Sequence, residues 1–382
     1  MPCAGAIRSR GLRGARCPAC LSEIRRSWLL HCILRGMPQE AEALKQDPSA
    51  IEPAPKAPNG FRVIQHFDSF EAEARNWTLL KQGPISVSQH YAWLRTSAEF
   101  LGREQQLHCF AVGGLQPAAT APLMCNRSFP GRLESLSPEG LLGPTDFPHS
   151  GPSTLKEIVD VLVAAKRPLL LKRVLADSPV VAALQSGFRG RALIRITPVA
   201  GYPWLPLQAS CTEPDPGLTE PARRRAEALG VLSFEIHCPT HFELEALMHE
   251  VFSIGATPQD ECAFFTRYAE ATARSGELRL CFMRIDARCV AAIFAVDVGA
   301  RLWLLKSASD ARFNDCLPER LLLQEVVRYA AHAGRRSIEF LGVDGPCVRA
   351  WTQDVRKCVS VAVYPANLRG LTALAADAVG LI

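Results

Sequence analysis

The sequence predicts an α/β protein with a mixed sheet (α+β), made of two similar units behind an N-terminal tail. Three observations carry this. From Leu278 to Tyr364, three strands lead into a loop, a helix and another strand. The stretch from Phe61 to Gln208 repeats much the same order: helix, helix, strand hairpin, strand, helix, strand. The first 60 residues follow neither pattern. The duplication rests on element order, since no residue-level repeat is visible.

Composition allows this size of fold. The chain has 382 residues, 48 % of them hydrophobic and 21 % charged, enough for two cores of ordinary size. Its net charge of +5 is spread thinly. A nucleic-acid binder needs a basic face interleaved with aromatics. The one triple basic run, Arg223–Arg225, sits in a helical pattern and reads as a solvated face. No apolar run approaches the ~20 residues of a membrane helix, so no membrane span and no nucleic-acid partner are expected. The 14 cysteines are scattered, and Cys109, Cys125, Cys281, Cys289 and Cys358 lie singly in apolar segments, where Cys acts as a small hydrophobe. A long chain without a disulfide framework points to a reducing cytoplasm.

Residues 1–36 hold seven arginines against one acid, Glu23. Disorder is the first expectation there, ahead of an organellar transit peptide. A further expectation is that translation starts at Met37, which would make the extension spurious; intact mass of the native protein decides it. Cys17 and Cys20 have metal-knuckle spacing but lack a second pair, so no metal is expected. Residues 37–60, with prolines at 38, 48, 53, 55 and 58, read as a linker.

The first unit, 61–210, starts with a strand at Phe61–Phe67. Helices follow at Asp68–Leu80, with Trp77 on its apolar face, and at Ser88–Leu101. Strands are expected at Leu107–Val112, Thr120–Cys125 and Arg132–Leu136. A Gly/Pro-rich loop, Ser137–Ser153, precedes a helix at Leu155–Ala165. A buried-type strand at Pro168–Val174, a short helix at Ser178–Leu184 and strands at Ala192–Val199 and Trp204–Gln208 complete the unit. The polar break Cys211–Gly217 marks the boundary.

The second unit, 211–382, has a helix at Thr219–Leu229 and a strand at Val231–His237. Amphipathic helices follow at Thr240–Phe252 and Gln259–Ser275, the latter aligning Cys262, Phe265, Tyr268 and Thr272. Three strands, Leu278–Ile285, Cys289–Val298 and Arg301–Ser307, lead to a polar loop, Ala308–Cys316. A helix at Leu317–Ala333, a strand at Ser337–Leu341, a loop holding Asp344, Trp351 on a short helix, a strand at Val359–Tyr364 and a terminal helix at Asn367–Val379 follow. A loop that opens a helix beside a strand is a seat for a phosphate-bearing group, because the helix start presents free N–H groups.

Several stretches in this order resemble the GNAT-fold acyltransferase domain of CelD-type and FemAB-like proteins, which carry two such units in tandem. They are Phe264-Phe265-Thr266-Arg267-Tyr268, the strand pair at Leu278-Arg279-Leu280 and Val290-Ala291-Ala292, and Leu302-Trp303-Leu304-Leu305-Lys306. Asp310-Ala311-Arg312-Phe313 with Leu317-Pro318-Glu319-Arg320-Leu321-Leu322, then Ile338-Glu339-Phe340-Leu341 and Trp351, continue it. Ala121-Pro122-Leu123 and Pro144-Thr145-Asp146 match in the first unit. The likeness covers roughly residues 61–365, and the order carries it, since no single motif is specific. There are two departures. Ser309 stands where the family usually has Tyr, and Glu319 where it usually has Gly. Gly lets a backbone approach a phosphate; Glu adds bulk and negative charge.

The resemblance implies transfer of an acyl group from acyl-CoA, or another activated donor, to an amine or hydroxyl on a small molecule or a polysaccharide precursor. The first unit lacks a loop-plus-helix as clear as Asn314–Ala333, which places the active unit second. The cofactor would lie on Arg312, Asn314, Cys316, Leu317, Pro318, Glu319 and Arg320. A base is needed to deprotonate an ammonium of pKa ~10; Asp344 and Glu339 are the candidates. Asp344 between two glycines is equally a turn-former, and Glu339 in an alternating strand equally pairs with Arg336 or faces water. Lys306 either binds an anionic substrate or marks the wet end of its strand. Trp351 lines the substrate or fills core. His332 ends a helix and complements its C-terminus. A nucleophilic Cys316 has no His nearby in sequence. The other reading is a degenerate fold of this kind, acting in binding or assembly, which Glu319 and the near-neutral loop favour.

Overall fold

The computed structural model describes residues 60–74, 86–101, 106–113, 117–126, 131–137, 143–207, 216–255 and 257–379. Residues 1–59 with the Cys17/Cys20 pair, Trp77, and most of the break beginning at Cys211 lie outside them.

The first half opens with β1 (Arg62–Ile64) and α1 (Phe67–Ala74). A 3-10 turn at Val87–Gln89 leads into α2 (Tyr91–Leu101). The strand expected at Leu107–Val112 is two, β2 (Gln106–Leu107) and β3 (Cys109–Val112). That at Thr120–Cys125 is also two, β4 (Ala119–Ala121) and β5 (Leu123–Cys125). Pro122 is the break: it has no N–H for a ladder, and the chain changes sheets there. β6 (Leu133–Ser135), α3 (Pro152–Ala165), β7 (Leu169–Leu175), α4 (Pro179–Gly187) and β8 (Ala192–Pro206) follow. Ser178 caps α4 by accepting from Val180 N at 3.1 Å. β8 fuses the two expected strands across a bulge: Val199 faces Cys358 and Tyr202 faces Arg356, with Ala200 and Gly201 between. A Cβ on Gly201 would strike the Arg356 carbonyl.

The second half runs α5 (Pro216–Leu229), β9 (Leu232–His237), α6 (His241–Ser253), α7 (Gln259–Arg274), β10 (Leu278–Ile285), β11 (Arg288–Val298) and β12 (Arg301–Ser309). A 3-10 turn at Ala311–Cys316 precedes α8 (Pro318–His332). Then come β13 (Ser337–Phe340), α9 (Pro346–Arg349), β14 (Val355–Pro365) and α10 (Leu368–Val379).

β1, β3 and β4 form a small sheet, and the other strands form one of eleven in the order β2-β5-β6-β7-β14-β8-β13-β12-β11-β10-β9. The expected mixed α/β class is therefore what the chain folds into. The last strand of each half lies beyond its own half: β14 pairs with β7, and β8 with β13. β8 and β14 pair antiparallel at the centre. Outward from that seam the two sides match. Each has one parallel pair, β6·β7 on one side and β12·β13 on the other, and every other neighbour is antiparallel.

β11 reads as a continuous apolar run because both its faces are covered. Ala292, Phe294 and Val296 pack with α6 and α7, while Ile293 and Ala295 pack with α8. Trp93 of α2 meets Phe264 and Tyr268 of α7 edge-on, each at 5.1 Å between ring centres. Among the described residues the cysteines are free, and no helix is long and apolar enough to cross a membrane.

Candidate active site

A wedge opens where the parallel pair β12·β13 comes apart. The strands are in register from Arg301 opposite Ser337 to Leu304 opposite Phe340. Leu305 is then an extra residue on β12, since Ala295 faces Leu304 and Phe294 faces Lys306. The N–H groups of Leu341 and Gly342 both reach the Leu304 carbonyl, at 3.0 and 3.1 Å. A Cβ on Gly342 would fall on the Leu305 carbonyl oxygen, so this close approach requires glycine. Beyond it, Lys306–Ser309 pairs with β11 alone. Asp310 N donates to Val290 O at 2.9 Å. By the alternation of an antiparallel ladder, Ser307 and Ser309 turn their backbone N–H groups away from β11, into the wedge.

The loop at the mouth is fixed by Asp310. Its carboxylate accepts from Arg312 N at 3.1 Å and pairs with Arg312 at 2.7 Å and Arg288 at 3.2 Å. The Arg312 hydrogen bond, helped by both guanidinium charges, pulls its pKa down to about 2. Arg225 Nε donates to the Asp315 carbonyl at 2.6 Å, and Arg223 pairs with Glu325 at 2.9 Å. The solvated-face expectation for the basic run thus holds for Arg224, which pairs with Glu220, and for Arg225, which stays exposed while reaching Asp315; Arg223 alone is half-buried. The bare run of three could not say this; the buried Ala222 and Ala226 beside it set which arginine turns inward.

Leu317 takes a left-handed conformation (φ 47°) and turns the chain from the 3-10 segment into α8. Glu319 then points into the wedge. Its Oε1 accepts from Ser309 Oγ at 3.3 Å, and Oε2 lies 4.0 Å from Cys347 Sγ. Burial, then the Glu319 charge, pushes the Cys347 thiol up. Nothing in the sequence around Cys347 announces this contact.

The other expected site residues scatter around this centre. Arg312 and Asn314 are exposed on the loop; Cys316 and Pro318 are buried, and burial raises the Cys316 thiol, the opposite of an activated nucleophile. Arg320 is half-buried on the first turn of α8. Lys306 pairs with Glu261 of α7 at 2.9 Å. Asp344 is exposed on the wedge's second wall, accepting from Gly345 N at 2.7 Å and lying 3.5 Å from Arg349. Trp351 is half-buried against the α8-side core. Glu339 is wholly buried. It accepts from Ser337 Oγ at 2.8 Å and pairs with Arg356 at 3.0 Å and Arg301 at 3.9 Å. Arg356 in turn stacks 3.6 Å above the Trp204 ring, so Glu339 ties β12, β13 and β14 beside β8. No cluster among the described residues can hold a metal.

The start of α8 offers a diphosphate few free amides. Pro318 has no N–H; Leu317 N is bonded to Asn314 O and Arg320 N to Leu317 O, each at 3.0 Å. The remaining first-turn amide belongs to Glu319, whose own carboxylate stands in the wedge. These residues do not fit a diphosphate on this helix start.

The equivalent wedge in the first half is filled by the chain. β6 and β7 pair only at Leu133–Glu134 and Leu169–Leu170. Into the gap comes the segment 144–148. Pro144 O accepts from the Ser86 and Ser88 hydroxyls, and Thr145 N donates to Arg173 O at 2.6 Å. Asp146 accepts from Ser178 Oγ at 2.8 Å and Phe147 N at 2.9 Å, yet burial outweighs both and pushes its carboxyl up to about 6.

Residues 220–346 match the family model of the acetyltransferase (GNAT) domain. That stretch runs from α5 to the first residue of α9 and contains β12, β13 and the start of α8. The C-terminal domain of a putative lysylphosphatidylglycerol synthetase from Agrobacterium fabrum superposes with a TM-score of 0.50 at 11 % identity, over 82 % of this chain and 97 % of that one. A conserved protein of unknown function from Bacteroides thetaiotaomicron VPI-5482 does so at 0.50 and 9 %, over 79 % and 99 %. FemX gives 0.48 at 12 %, over 82 % and 99 %, a level from which nothing further follows. No curated protein matches the chain by sequence. The superpositions are likenesses of fold; the domain match makes a GNAT-type transferase the enzyme class the chain fits.

Proposed function

We propose that the second half, residues 211–382, transfers an acyl group from an activated donor to an amine or hydroxyl at the wedge between β12 and β13. The observation that carries this is the separation of the two parallel strands at Leu305 and Gly342, beside the start of α8 and inside the GNAT-matched stretch. The inward N–H groups of Ser307 and Ser309 would polarise the acyl carbonyl as negative charge develops on its oxygen. Asp344, on the facing wall, is the proposed proton acceptor at the open end; buried and doubly paired, Glu339 instead holds the strands. Lys306 and Trp351 flank the wedge as proposed substrate contacts. CelD/FemAB kinship and a polysaccharide-precursor acceptor belong to this proposal on the resemblance alone.

The test uses the full chain with two donors, acetyl-CoA and S-acetyl-N-acetylcysteamine, which carries the thioester without phosphates. Thiol release that depends on an amine or hydroxyl acceptor supports the reading. No transfer and no thermal stabilisation with either donor overturns it. That outcome favours the binding-protein alternative, for which the engaged amides at the start of α8 already speak.

A further inference from the structure

The two ends of the large sheet differ. At one end β2 is two residues long; at the other β9 has six residues, no proline, no lysine and an unbroken register with β10. Folded chains usually blunt an edge of that length with such devices. The direction of the β9 peptide groups is fixed at its start. Asp286 N donates to Val231 O at 3.0 Å and Val231 N to Asp286 Oδ1 at 2.8 Å, so Val231 turns its peptide groups toward β10. By antiparallel alternation Ser233, Glu235 and His237 do the same, and Leu232, Phe234 and Ile236 turn their N–H and C=O groups outward. Among the described residues no strand pairs with β9 on that side. The side chains of Leu232, Phe234 and Ile236 share one face, half-buried at the rim of the α8-side core, where Arg223 lies 5.2 Å over the Phe234 ring. Just before them Val231 is 75 % exposed and Leu229 56 %.

The geometry points to β9 as a self-pairing edge: a second copy of this chain adds its own β9 antiparallel, about a two-fold axis through Phe234. Outward groups can bond only to outward groups, which limits the register. With the axis on Phe234, Leu232 of one copy faces Ile236 of the other, and the two Phe234 residues face each other. Every outward group of the strand is then used, and apolar side chains meet apolar ones. On the opposite face Glu235 meets Ser233 and Val231 meets His237, while each Glu235 keeps its own Arg284. Moving the axis to Glu235 sets two carboxylates face to face; moving it to Ser233 leaves Ile236 without a partner. This self-match selects a second copy over an unrelated strand. The two-residue β2 offers no comparable edge, so the pairing closes as a two-fold dimer and does not grow into a fibre. It is independent of the acyl-transfer reading.

Sedimentation of the full chain across the micromolar range is expected to show twice the mass of one chain. Leu232→Pro removes one outward N–H from each copy at the first position of an edge strand, where proline is tolerated and no bond to β10 is lost. It should raise the dissociation constant about thirtyfold, the effect of two lost ladder bonds, with an unchanged circular dichroism spectrum. Phe234→Cys reads the register without that variant. The two substituted positions would lie about 5.5 Å apart between Cα atoms, within reach of a disulfide. The exposed Cys238 is the internal control, since its two copies would lie about 27 Å apart. Mild oxidation should join two Phe234→Cys chains through position 234 and leave Cys238 unlinked, as read by mass spectrometry of the joined peptide. A wild type that sediments as one chain throughout overturns the proposal, whatever else covers β9. So does a dimer that Leu232→Pro leaves intact, a link through Cys238, or oxidation that leaves position 234 unlinked.

Discussion

Both halves of the molecule build the same device, a parallel strand pair that diverges, and then treat the gap in opposite ways. Between β6 and β7 the chain folds back and fills the gap with its own peptide groups, satisfied by Ser86, Ser88 and Thr145. Between β12 and β13 a 3-10 turn capped by Asp310 carries the chain straight to α8, and the gap is left to Ser309, Glu319 and Cys347. The carboxyl groups make the contrast plain. Asp146 is sealed in and shifted toward its neutral form, while Glu319 keeps a hydroxyl and a thiol for company and an open side. The strand topology thus supplies the gap, and the segment that follows the first parallel strand decides whether it can receive a ligand.

That contrast can be broken or sharpened at several points. The largest effect is expected from the buried charges behind the filled wedge. Arg132 is buried and pairs with Glu134 at 2.8 Å and Asp377 at 2.9 Å. Arg132→Met takes the buried cation from both carboxylates, leaving Glu134 with Lys172 and Asn126 and Asp377 with Tyr364, and should cost about 3–5 kcal/mol, read from denaturant midpoints.

Next is Asp146. Its folded pKa of about 6 lies above the unfolded carboxylate value of ~3.9. Its contribution to stability is therefore full below that unfolded value and lost as pH rises through about 6. Asp146→Asn should match the wild type near pH 4 and exceed it by about 3 kcal/mol at pH 8. A gap that does not widen with pH would mean the first wedge is wetter than its hydrogen bonds imply.

Gly342→Ala tests the second wedge itself. The new Cβ meets the Leu305 carbonyl, forcing the strands apart at a cost of about 2 kcal/mol, with donor turnover changed as well. The smallest effect concerns the donor. With its helix amides engaged, the wedge should use S-acetyl-N-acetylcysteamine and acetyl-CoA with kcat/KM values within about tenfold, less than one lost charge-assisted contact would make. Glu319→Gly should then raise coenzyme A affinity, measured by calorimetry; no change would show that the carboxylate does not obstruct the phosphates.

Much of the second half was legible because its signals are local. Alternation marks β10, β11 and β12, Pro318 in the first turn marks the start of α8, and the apolar side of α7 places Phe265, Tyr268 and Thr272. Pro122 is in the sequence, but the apolar run continues across it, and it is what splits a strand between two sheets. The sites were less legible. An alternating strand gives Glu339 a wet side only if that face is open, and the charged network beside β8 and β14 closes it. Asp344 reads as either base or turn-former from the sequence; in the fold its carboxylate is exposed and accepts from Gly345 N. The Glu319 substitution stood out in the sequence, but its direction did not.

The sequence by itself determined the class of fold, the duplicated order of elements and the loop-to-helix junction at Asp310–Glu319, since each is set by the period and chemistry of neighbouring residues. Only the tertiary structure decided that β8 and β14 trade places across the seam, that one wedge is filled and the other open, and that Glu319 turns inward. Those outcomes depend on which distant strands compete for the same backbone N–H and C=O groups. A local pattern records that a strand needs partners, and carries no record of which partners it finds.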